Sequence, residues 1–466
     1  MLENYFHLKE NHTDVKTEVM AGLTTFFAMS YIIFVNPDLL ATGADIVNAG
    51  SYQQVYNGVF FATCIAACIG TLLMGLYAKI PFAQAPGMGL NAFFAFTVMA
   101  GFGYGYSQTL GIVLISGLLF IAITAFGLRE AIVDAIPVNV KTAISAGIGL
   151  FLAFLGLKTA GIVVDNPATF VSLVDFSQIN TAEGRPAIMG ALVAIIGLFL
   201  IAALYKMRVK GSILIGIIVC TIIGIPMGVT HLPESFSINF GGQFKDFLDV
   251  SLFSCFSGLG SIFEGKNLLD AIFTIIMLVL SFSMVDMFDT IGTLLGTAKK
   301  ANLLDKDGNM PNMKKALMCD AVATTTGAML GTSTVTTFVE SSAGIGEGGR
   351  TGLTSVVTGL MFIAAMVLAP FVGIIPSAAT APALIFVGAL MISSIKELEW
   401  DDMSVAIPSF LTIIMMPLTY SISNGIAFGL LSHVIIKAAC GKFKEIKPFT
   451  VVLAVLFIIR FFTIAM

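Results

Sequence analysis

The stretch Gln84-Ala-Pro-Gly-Met-Gly-Leu-Asn91 places a proline, two glycines and two amides inside apolar sequence. Proline and glycine interrupt helices, so the helical part of this segment is predicted to be unusually short. A second interrupted stretch, Thr332-Ser-Thr-Val-Thr-Thr-Phe-Val-Glu340, is rich in Thr and Val, which favour extended backbone. At membrane depth, such irregular backbone is tolerated only where it is buried in protein or lines a cavity. The two stretches therefore decide the fold prediction and indicate where a site should lie.

The composition of the chain is that of a polytopic membrane protein. Of its 466 residues, 57% are hydrophobic and 11% are charged, and the mean hydropathy is +0.95. Soluble domains carry roughly 25% charged residues, so this chain has too few charges to coat a water-soluble surface of its size. The 24 Lys and Arg against 28 Asp and Glu leave no basic excess for binding nucleic acid. The polar N-terminal segment lacks the pattern of a signal peptide.

Apolar stretches recur along the chain in two sets of seven, and an interrupted stretch takes the third place in each set. A membrane span needs about 20 apolar residues. The first set is predicted at 17–36, 55–77, 86–100, 107–127, 136–157, 187–205 and 211–228. The second set is predicted at 268–297, 316–331, 338–346, 355–374, 378–395, 404–422 and 424–440. A last apolar stretch, 449–466, is predicted either to lie in the membrane interface or to form a fifteenth span.

The positive charges indicate how the spans are oriented. With the N-terminus inside, 19 of the 24 Lys and Arg fall in inner segments and 4 fall in outer loops. Cytoplasmic loops carry the excess of Lys and Arg, so we predict fourteen spans with a cytoplasmic N-terminus. Seven is odd, so two homologous sets of seven would have opposite orientations. Weak similarity between residues 27–40 and 282–295 favours such an inverted repeat, the build of many secondary transporters.

Three acidic residues fall within the predicted spans. Asp286 and Asp289 lie three residues apart on the eighth span, and Glu340 begins the helical part of the tenth. A carboxylate at the bilayer centre costs about 2.5–3.5 kcal/mol or more, so a functional interpretation is the default. The alternative is that one of them only ties helices together through Ser or Thr hydroxyls. Asp320, near the inner end of the ninth span, is expected to be hydrated.

The first interrupted stretch is predicted to offer polar groups to the same cavity. Asn91 occupies a place that corresponds to Glu340, and its amide can both donate and accept, although capping of the following helix is the alternative. Backbone N–H groups around Ala92, Phe93 and Val339 are expected to point into the cavity from the starts of two half-helices. The Phe93 ring can stack on a flat ligand or simply pack, as other Phe side chains do.

These motifs resemble the nucleobase–cation symporters, and specifically their branch of adenine, guanine and hypoxanthine permeases. The resemblance runs from about residue 13 to residue 440, with the motifs in order. It is carried by Ala85-Pro-Gly-Met-Gly-Leu-Asn-Ala-Phe-Phe94, Asp286-Met-Phe-Asp289-Thr, Gly331-Thr-Ser-Thr, Glu340-Ser-Ser and Ala381-Pro-Ala-Leu384.

The resemblance implies an all-helical membrane fold of fourteen spans in two inverted repeats, with a core domain and a gate domain. The third and tenth spans would each carry a short strand, and these strands would pair at the midplane. The core would comprise residues 1–127 and 268–374, and the gate residues 128–228 and 375–440. An external loop would occupy 229–267, and 441–466 would form the C-terminal interfacial or extra membrane helix.

The resemblance also implies roles for individual residues. Asp286 and Glu340 would hydrogen-bond a purine, while Asn91 and the backbone beside Gly89 would shape the opposite wall. Asp289, together with Glu340, would couple transport to protons.

The expected function is import of hypoxanthine, guanine or adenine with protons, by an elevator movement of the core against the gate. The chain is not expected to be an enzyme or to need a cofactor beyond the coupling proton. We expect it in the cell membrane, surrounded by lipid, with a homodimer contact through the gate. The alternatives are a uracil- or xanthine-type permease, an anion exchanger of the same fold, and a channel. Carboxylates at the site argue against an anion, and a channel has no need for matched carboxylates at one central site.

Overall fold

The computed structural model describes residues 2–126, 137–182, 184–231, 240–263, 268–300, 310, 312–372 and 374–463. Within these ranges the chain is predominantly helical, and each apolar stretch predicted from the sequence overlaps a helix. The predicted boundary between residues 127 and 128 lies outside the described residues, as do parts of the predicted loop 229–267.

The first half of the chain contains nine of the helices that the structure describes. They are α1 (Leu2–Phe6), α2 (Val15–Met29), α3 (Ile32–Ile46), α4 (Tyr52–Leu73), α5 (Met88–Ala92), α6 (Tyr106–Ala125), α7 (Val138–Thr159), α8 (Gly184–Lys206) and α9 (Ser212–Gly224). Helices α4 and α5 continue into π-helical turns, Met74–Ala78 and Phe93–Gly101. Strand β1 (Gln84–Pro86) precedes α5, and strands β2 (Val163–Asn166) and β3 (Phe170–Leu173) form a hairpin after α7.

The second half begins with two short helices and continues with the longer ones. They are α10 (Phe240–Asp246), α11 (Ser254–Ser261), α12 (Leu268–Lys300), α13 (Met313–Leu330), α14 (Ser341–Gly346), α15 (Gly352–Ala365), α16 (Ala369–Val372), α17 (Ser377–Met391), α18 (Met403–Leu418), α19 (Ile422–Ala439) and α20 (Pro448–Thr463). Strand β4 (Val335–Thr337) lies between α13 and α14.

Within the described residues, seven helical stretches are long and apolar enough to cross a membrane. They are Val15–Ile46, Tyr52–Ala78, Tyr106–Ala125, Val138–Thr159, Gly184–Lys206, Ser377–Glu397 and Ile422–Ala439. Other apolar helices are 10–17 residues long, below the about 20 residues that a straight span needs. One of these is Met88–Gly101, the segment whose helical part was predicted to be short.

The first long stretch extends further than its predicted range, 17–36. Asn36-Pro37-Asp38 has the composition of a loop, yet α3 continues through it to Ile46. Proline inside a membrane helix is tolerated where neighbouring groups satisfy the backbone around it. The region is buried, and the Asn36 amide lies within hydrogen-bonding distance of the Thr63 hydroxyl, at 2.7 Å, and of the Thr332 hydroxyl, at 2.8 Å. These contacts hold α3 against α4 and against the segment that leads to β4.

The two interrupted stretches meet as a pair of short antiparallel strands. Gln84 lies opposite Thr337 and Pro86 opposite Val335. Pro86 has no N–H to donate, and beyond it the Gly87 N–H donates to the Thr334 carbonyl at 3.1 Å. A side chain on Gly87 would begin 2.5 Å from Cγ2 of Thr336, so this close approach requires glycine.

The predicted external loop 229–267 is structured where it is described. Residues 240–263 include α10 and α11, and the Phe61 ring of α4 meets the Phe240 and Phe244 rings, each at 5.4 Å between centroids. The Phe253 N–H donates to the Met329 carbonyl at 2.7 Å. The sequence predicted an external loop here but did not predict these two short helices, because neither is long enough to resemble a span.

The C-terminal helix α20 packs along α19, with the Phe428 and Phe461 rings 5.7 Å apart. It buries Leu453 and Phe457 and exposes Phe462. The side chain of Arg460 lies outside the described residues. Its described part, Pro448–Thr463, is 16 residues long, the same length as α18, so the length does not distinguish the two predictions.

Candidate functional site

Glu340 lies between β4 and α14 and directly precedes the helix. Its side chain is partly buried, and its Oε1 accepts a hydrogen bond of 2.8 Å from the Tyr31 hydroxyl. Tyr31 lies at the short break between α2 and α3 and is 1% exposed. A phenol donates one hydrogen, so this contact orients the carboxylate and occupies one of its two oxygens.

Asp286 and Asp289 occupy the same helix but different environments. Asp286 is fully buried, and its Oδ2 accepts from the Thr324 hydroxyl on α13 at 3.1 Å. The same hydroxyl lies 3.1 Å from the Val335 carbonyl, which ties α12 and α13 to β4. Asp289 is partly exposed and lies within the electrostatic range of Asp320 and Glu340. The structure therefore places Asp286 beside β4, and Asp289 near Glu340 at the start of α14.

Asp320 is fully buried, so the expectation that it is hydrated was wrong. Its Oδ1 accepts from the Thr290 hydroxyl at 2.7 Å and from the Gln84 amide at 3.3 Å. The Thr290 hydroxyl also lies 2.7 Å from that of Thr336. Asp320 thus belongs to a polar network that fastens the strand pair to α12 and α13. Its place near the end of a predicted span gave no sign that another segment would cover it.

Asn91 is fully buried and is held by its own part of the chain and by the opposite segment. Its amide nitrogen lies 3.4 Å from the Pro86 carbonyl, and its Oδ1 accepts from the Ser333 hydroxyl. Both ends of the amide are therefore engaged within the protein, but Asn91 lies inside α5 and does not cap a helix as the alternative interpretation expected. The side chain stabilises the turn between β1 and α5 against the approach to β4.

The first half-helix begins earlier than the sequence suggested. Helix α5 starts at Met88, so Ala92 and Phe93 lie at its far end, and the Phe93 N–H is bonded to the Gly89 and Leu90 carbonyls. The expectation that these N–H groups lie at the helix N-terminus was therefore wrong. The extended backbone ends at Pro86 and Gly87, before Asn91, so the helix begins earlier.

The remaining predicted residues differ in exposure. The Phe93 ring is fully buried and meets Phe282 edge to face at 4.7 Å, so it packs. The Val339 side chain is 49% exposed, directly before Glu340. Gly89 faces α7, where an added side chain would begin 2.7 Å from Cγ2 of Ile148.

Sequence reasoning missed three polar residues with structural contacts. Tyr31 and Asp38 lie on the first span, where Asp38 falls beyond the predicted end, and both are buried. Glu18 is fully buried and accepts from the backbone N–H groups of Arg350, Thr351 and Thr354 at 2.8–3.3 Å. Each of the three is a polar group inside an apolar stretch, and this feature could have indicated them. The feature was considered only for the acidic residues of later spans.

The electrostatics of the site are acidic. Asp286, Asp289, Asp320 and Glu340 gather within it, and neither Asp289 nor Glu340 has an ion-pair partner in the described part of the chain. Such a site can accept hydrogen bonds from a ligand's N–H groups, and protonation would remove buried charge.

The fold is similar to that of known membrane transporters. The transmembrane domain of the cyanobacterial bicarbonate transporter BicA matches with a TM-score of 0.57 at 16% identity, covering 89% of this chain and 97% of that one. SLC26A9 matches with a TM-score of 0.52 at 14% identity, covering 91% of this chain and 66% of that one. At such low identities the likeness concerns the fold alone.

Sequence similarity extends over nearly the full length of several relatives. A putative permease of Methanocaldococcus jannaschii is 44% identical over 99% of this chain and 98% of that protein. The guanine/hypoxanthine permease PbuO of Bacillus subtilis is 42% identical over 98% of this chain and 99% of its own. The adenine permease AdeP of Escherichia coli is 38% identical over 99% and 96%. Since the model of the permease family also matches residues 16–428, the chain belongs to that family and is a multi-pass membrane transporter rather than an enzyme.

Proposed function

We propose that this protein imports purine nucleobases, namely hypoxanthine, guanine or adenine, together with protons. The observation that carries the proposal is the full-length similarity to relatives named as adenine and as guanine/hypoxanthine permeases, at 38–42% identity. The buried polar site around β1 and β4 supplies the chemistry that such a substrate needs.

A neutral purine has N–H donors and ring acceptors at its edge and is apolar on its faces. Carboxylates accept from N–H groups, so Glu340 and Asp286 are proposed to bind the donor edge. Tyr31 is proposed to position Glu340, leaving Oε2 of the carboxylate for the substrate. Asn91, which holds the turn beside Gly89, is proposed to support the opposite wall, and the exposed Val339 is proposed to border the bound purine.

Protons are proposed to couple through Asp289 and Glu340. Protonation of a carboxylate within the membrane removes a charge that is costly to move through a low-dielectric environment. One proton that crosses 100 mV supplies about 2.3 kcal/mol, enough for a roughly fifty-fold gradient of a neutral solute.

The proposed movement is an elevator shift between two bodies. Fourteen spans in two inverted repeats would form a core of residues 1–127 and 268–374 and a gate of 128–228 and 375–440. The packing supports this division, because α17 contacts chiefly α7, α8 and α9, whereas α3 contacts chiefly α4 and the turn Phe93–Gly101. We place the protein in the cell membrane with its N-terminus in the cytoplasm, and propose dimer contact through the gate.

The test is uptake of labelled hypoxanthine, guanine and adenine by bacterial cells that lack their own purine transporters, with and without a protonophore. We expect accumulation that the protonophore abolishes. Glu340→Gln should abolish accumulation as well, while the control Glu399→Gln, at an exposed site, should leave it unchanged. Uptake that ignores the protonophore, or that survives Glu340→Gln, would contradict proton-coupled transport through this site.

The fold neighbours give an anion exchanger as the second candidate, since one of them is a bicarbonate transporter. The carboxylates at the site would repel a bicarbonate ion unless they were protonated. Exchange of labelled bicarbonate in proteoliposomes, without purine uptake by the same preparation, would favour this candidate.

A further inference from the structure

Asp38 is a buried carboxylate that the proposed transport site does not use. It is 5% exposed, and its two oxygens accept three hydrogen bonds from hydroxyls. Oδ1 accepts from Tyr52 at 2.6 Å and from Ser377 at 2.9 Å, and Oδ2 accepts from Thr380 at 3.0 Å. In the described part of the chain no Lys or Arg forms an ion pair with it. Its charge is therefore stabilised by these hydroxyls.

The three donors come from two different packing units. Asp38 on α3 and Tyr52 on α4 belong to one unit, because these helices pack on each other. Ser377 and Thr380 lie in the first turn of α17, whose main neighbours are α7, α8 and α9. The bonds from Ser377 and Thr380 thus bridge the units, whereas the Tyr52 bond stays within one of them.

Two further contacts cross between the units, because the turn Phe93–Gly101 packs on α3 and α12 packs chiefly on α6 and β4, whereas α18 and α19 pack on α7. The Phe96 ring meets the Tyr420 ring edge to face at 5.6 Å, and the Ser281 and Ser423 hydroxyls lie 3.0 Å apart. Together with the Asp38 bonds, these contacts define what we name the outer seam. A different contact, the ion pair of Lys210 with Glu347 at 3.1 Å, joins two side chains that are each 44% exposed. Exposed ion pairs contribute little to stability, so the buried hydrogen bonds of Asp38 hold the two units together more strongly than this ion pair does.

We propose that Asp38 is a latch that holds the outer seam closed through the hydroxyls of Ser377 and Thr380. When the units separate, the carboxylate loses two of its three donors, and buried charge without partners is unfavourable. The latch therefore shifts the population toward the form closed on this side, and opening requires water to replace the lost hydroxyls. This role is separate from purine binding. That the two units move against each other, and that the seam faces outward, rests on the proposed function.

The test measures opening of the outer seam by thiol labelling rather than by transport. Ser423→Cys serves as the reporter, in a Cys440→Ser background, since Cys440 is exposed whereas Cys64, Cys68, Cys220, Cys255 and Cys319 are buried. Right-side-out and inside-out vesicles are treated with a membrane-impermeant maleimide, without purine. The variant Ser377→Ala with Thr380→Ala removes only the bridging donors and leaves the bond between Asp38 and Tyr52.

We expect the double variant to be labelled from the outside about fivefold faster or more, the population shift that corresponds to one lost net hydrogen bond. The exchange Ser377→Thr with Thr380→Ser keeps both hydroxyls and should behave as the parent. Asp402→Asn is the matched control. Asp402 also accepts a hydrogen bond from a serine hydroxyl, that of Ser404, but both residues lie at the start of α18, so this bond does not join the two units. Labelling without the reporter substitution gives the background.

Unchanged labelling in the double variant, or acceleration only in inside-out vesicles, would overturn the latch. If the double variant does not reach the membrane, Thr380→Val alone removes one bridging hydroxyl at nearly constant volume and is read in the same way. Because labelling needs no substrate, failure of the parent to take up purines would contradict the proposed function and leave the result on the latch intact.

Discussion

At the scale of single residues, the contact between Tyr31 and Glu340 makes a measurable prediction. Tyr31→Phe keeps the ring and removes the hydrogen bond of 2.8 Å to Oε1. A hydrogen bond to a charged group contributes about 1.5–3 kcal/mol, so we expect the KM for the purine to rise at least about tenfold. The maximal uptake rate should change less, because Glu340 itself remains. Initial rates of purine uptake over a range of concentrations give both quantities.

A double variant separates this positioning role from a general loss of packing. If Tyr31 acts through Glu340, adding Tyr31→Phe to Glu340→Gln should weaken purine binding much less than it does in the parent. Binding can be measured on purified protein by calorimetry, even where transport is lost. Equal and additive losses in both backgrounds would instead mean that Tyr31 serves only the packing of the first span.

Residue by residue, the sequence predicted charges better than it predicted backbone donors. Asp286 and Glu340 were singled out because carboxylates are costly within a membrane, and the structure brings both beside β4. The start of α5 could not be predicted to the residue, and its shift to Met88 removed Phe93 from the helix opening. Asp38 was missed because hydropathy ended the first span before it.

At the scale of elements, Glu18 ties the start of α15 to α2. Its carboxylate accepts from the N–H of Arg350 at 2.8 Å, and from the N–H and hydroxyl of Thr354 at 3.1 and 2.7 Å. An anion at a helix N-terminus satisfies donors that the helix itself cannot. Glu18→Ala leaves these buried donors without their acceptor, so we expect a loss of about 2–4 kcal/mol in stability.

The measurement is the apparent Tm of the protein purified in detergent, which should fall by several degrees in Glu18→Ala. Glu18→Gln keeps one acceptor oxygen, so its Tm should fall less. Glu10→Ala removes an exposed carboxylate of the same N-terminal region, 78% exposed, and should leave the Tm unchanged. A Tm for Glu18→Ala equal to that of the parent would show that water replaces the carboxylate without cost.

Elements were predictable where apolar residues are continuous. Each predicted span overlaps a helix, and most of these helices are long because burial and lipid both favour long apolar stretches, whereas α14 in the predicted tenth span has only six residues. The pairing of β1 with β4 agrees with what the resemblance implied, and Pro86 and the β-branched Val335 and Thr336 are the local reasons for it. Helices α10 and α11 were not predicted, since a short helix that packs with a few Phe side chains leaves no periodic signal of sufficient length.

At the scale of the whole molecule, the orientation of the spans remains the prediction with the widest consequences. The inverted repeat requires the N-terminus and the connection between α8 and α9 on one side, and the hairpin of β2 and β3 on the other. Phe170 lies in that hairpin and is 88% exposed, and Met207 lies in the connection and is 72% exposed. These two positions report on opposite sides without disturbing buried contacts.

Phe170→Cys and Met207→Cys, each in the Cys440→Ser background, should therefore differ in their access to an impermeant maleimide. With a cytoplasmic N-terminus, five spans precede Phe170 and six precede Met207, so only Phe170→Cys should be labelled in intact cells. Both variants should be labelled once the cells are permeabilised, which controls for expression and reactivity. Labelling of both, or of Met207→Cys alone, would contradict the alternation of spans and with it the opposed repeats. In the proposed fourteen-span arrangement, six further crossings separate Phe170 from Ser377 and eight separate it from Tyr420, so this arrangement puts the Asp38 seam on the Phe170 side.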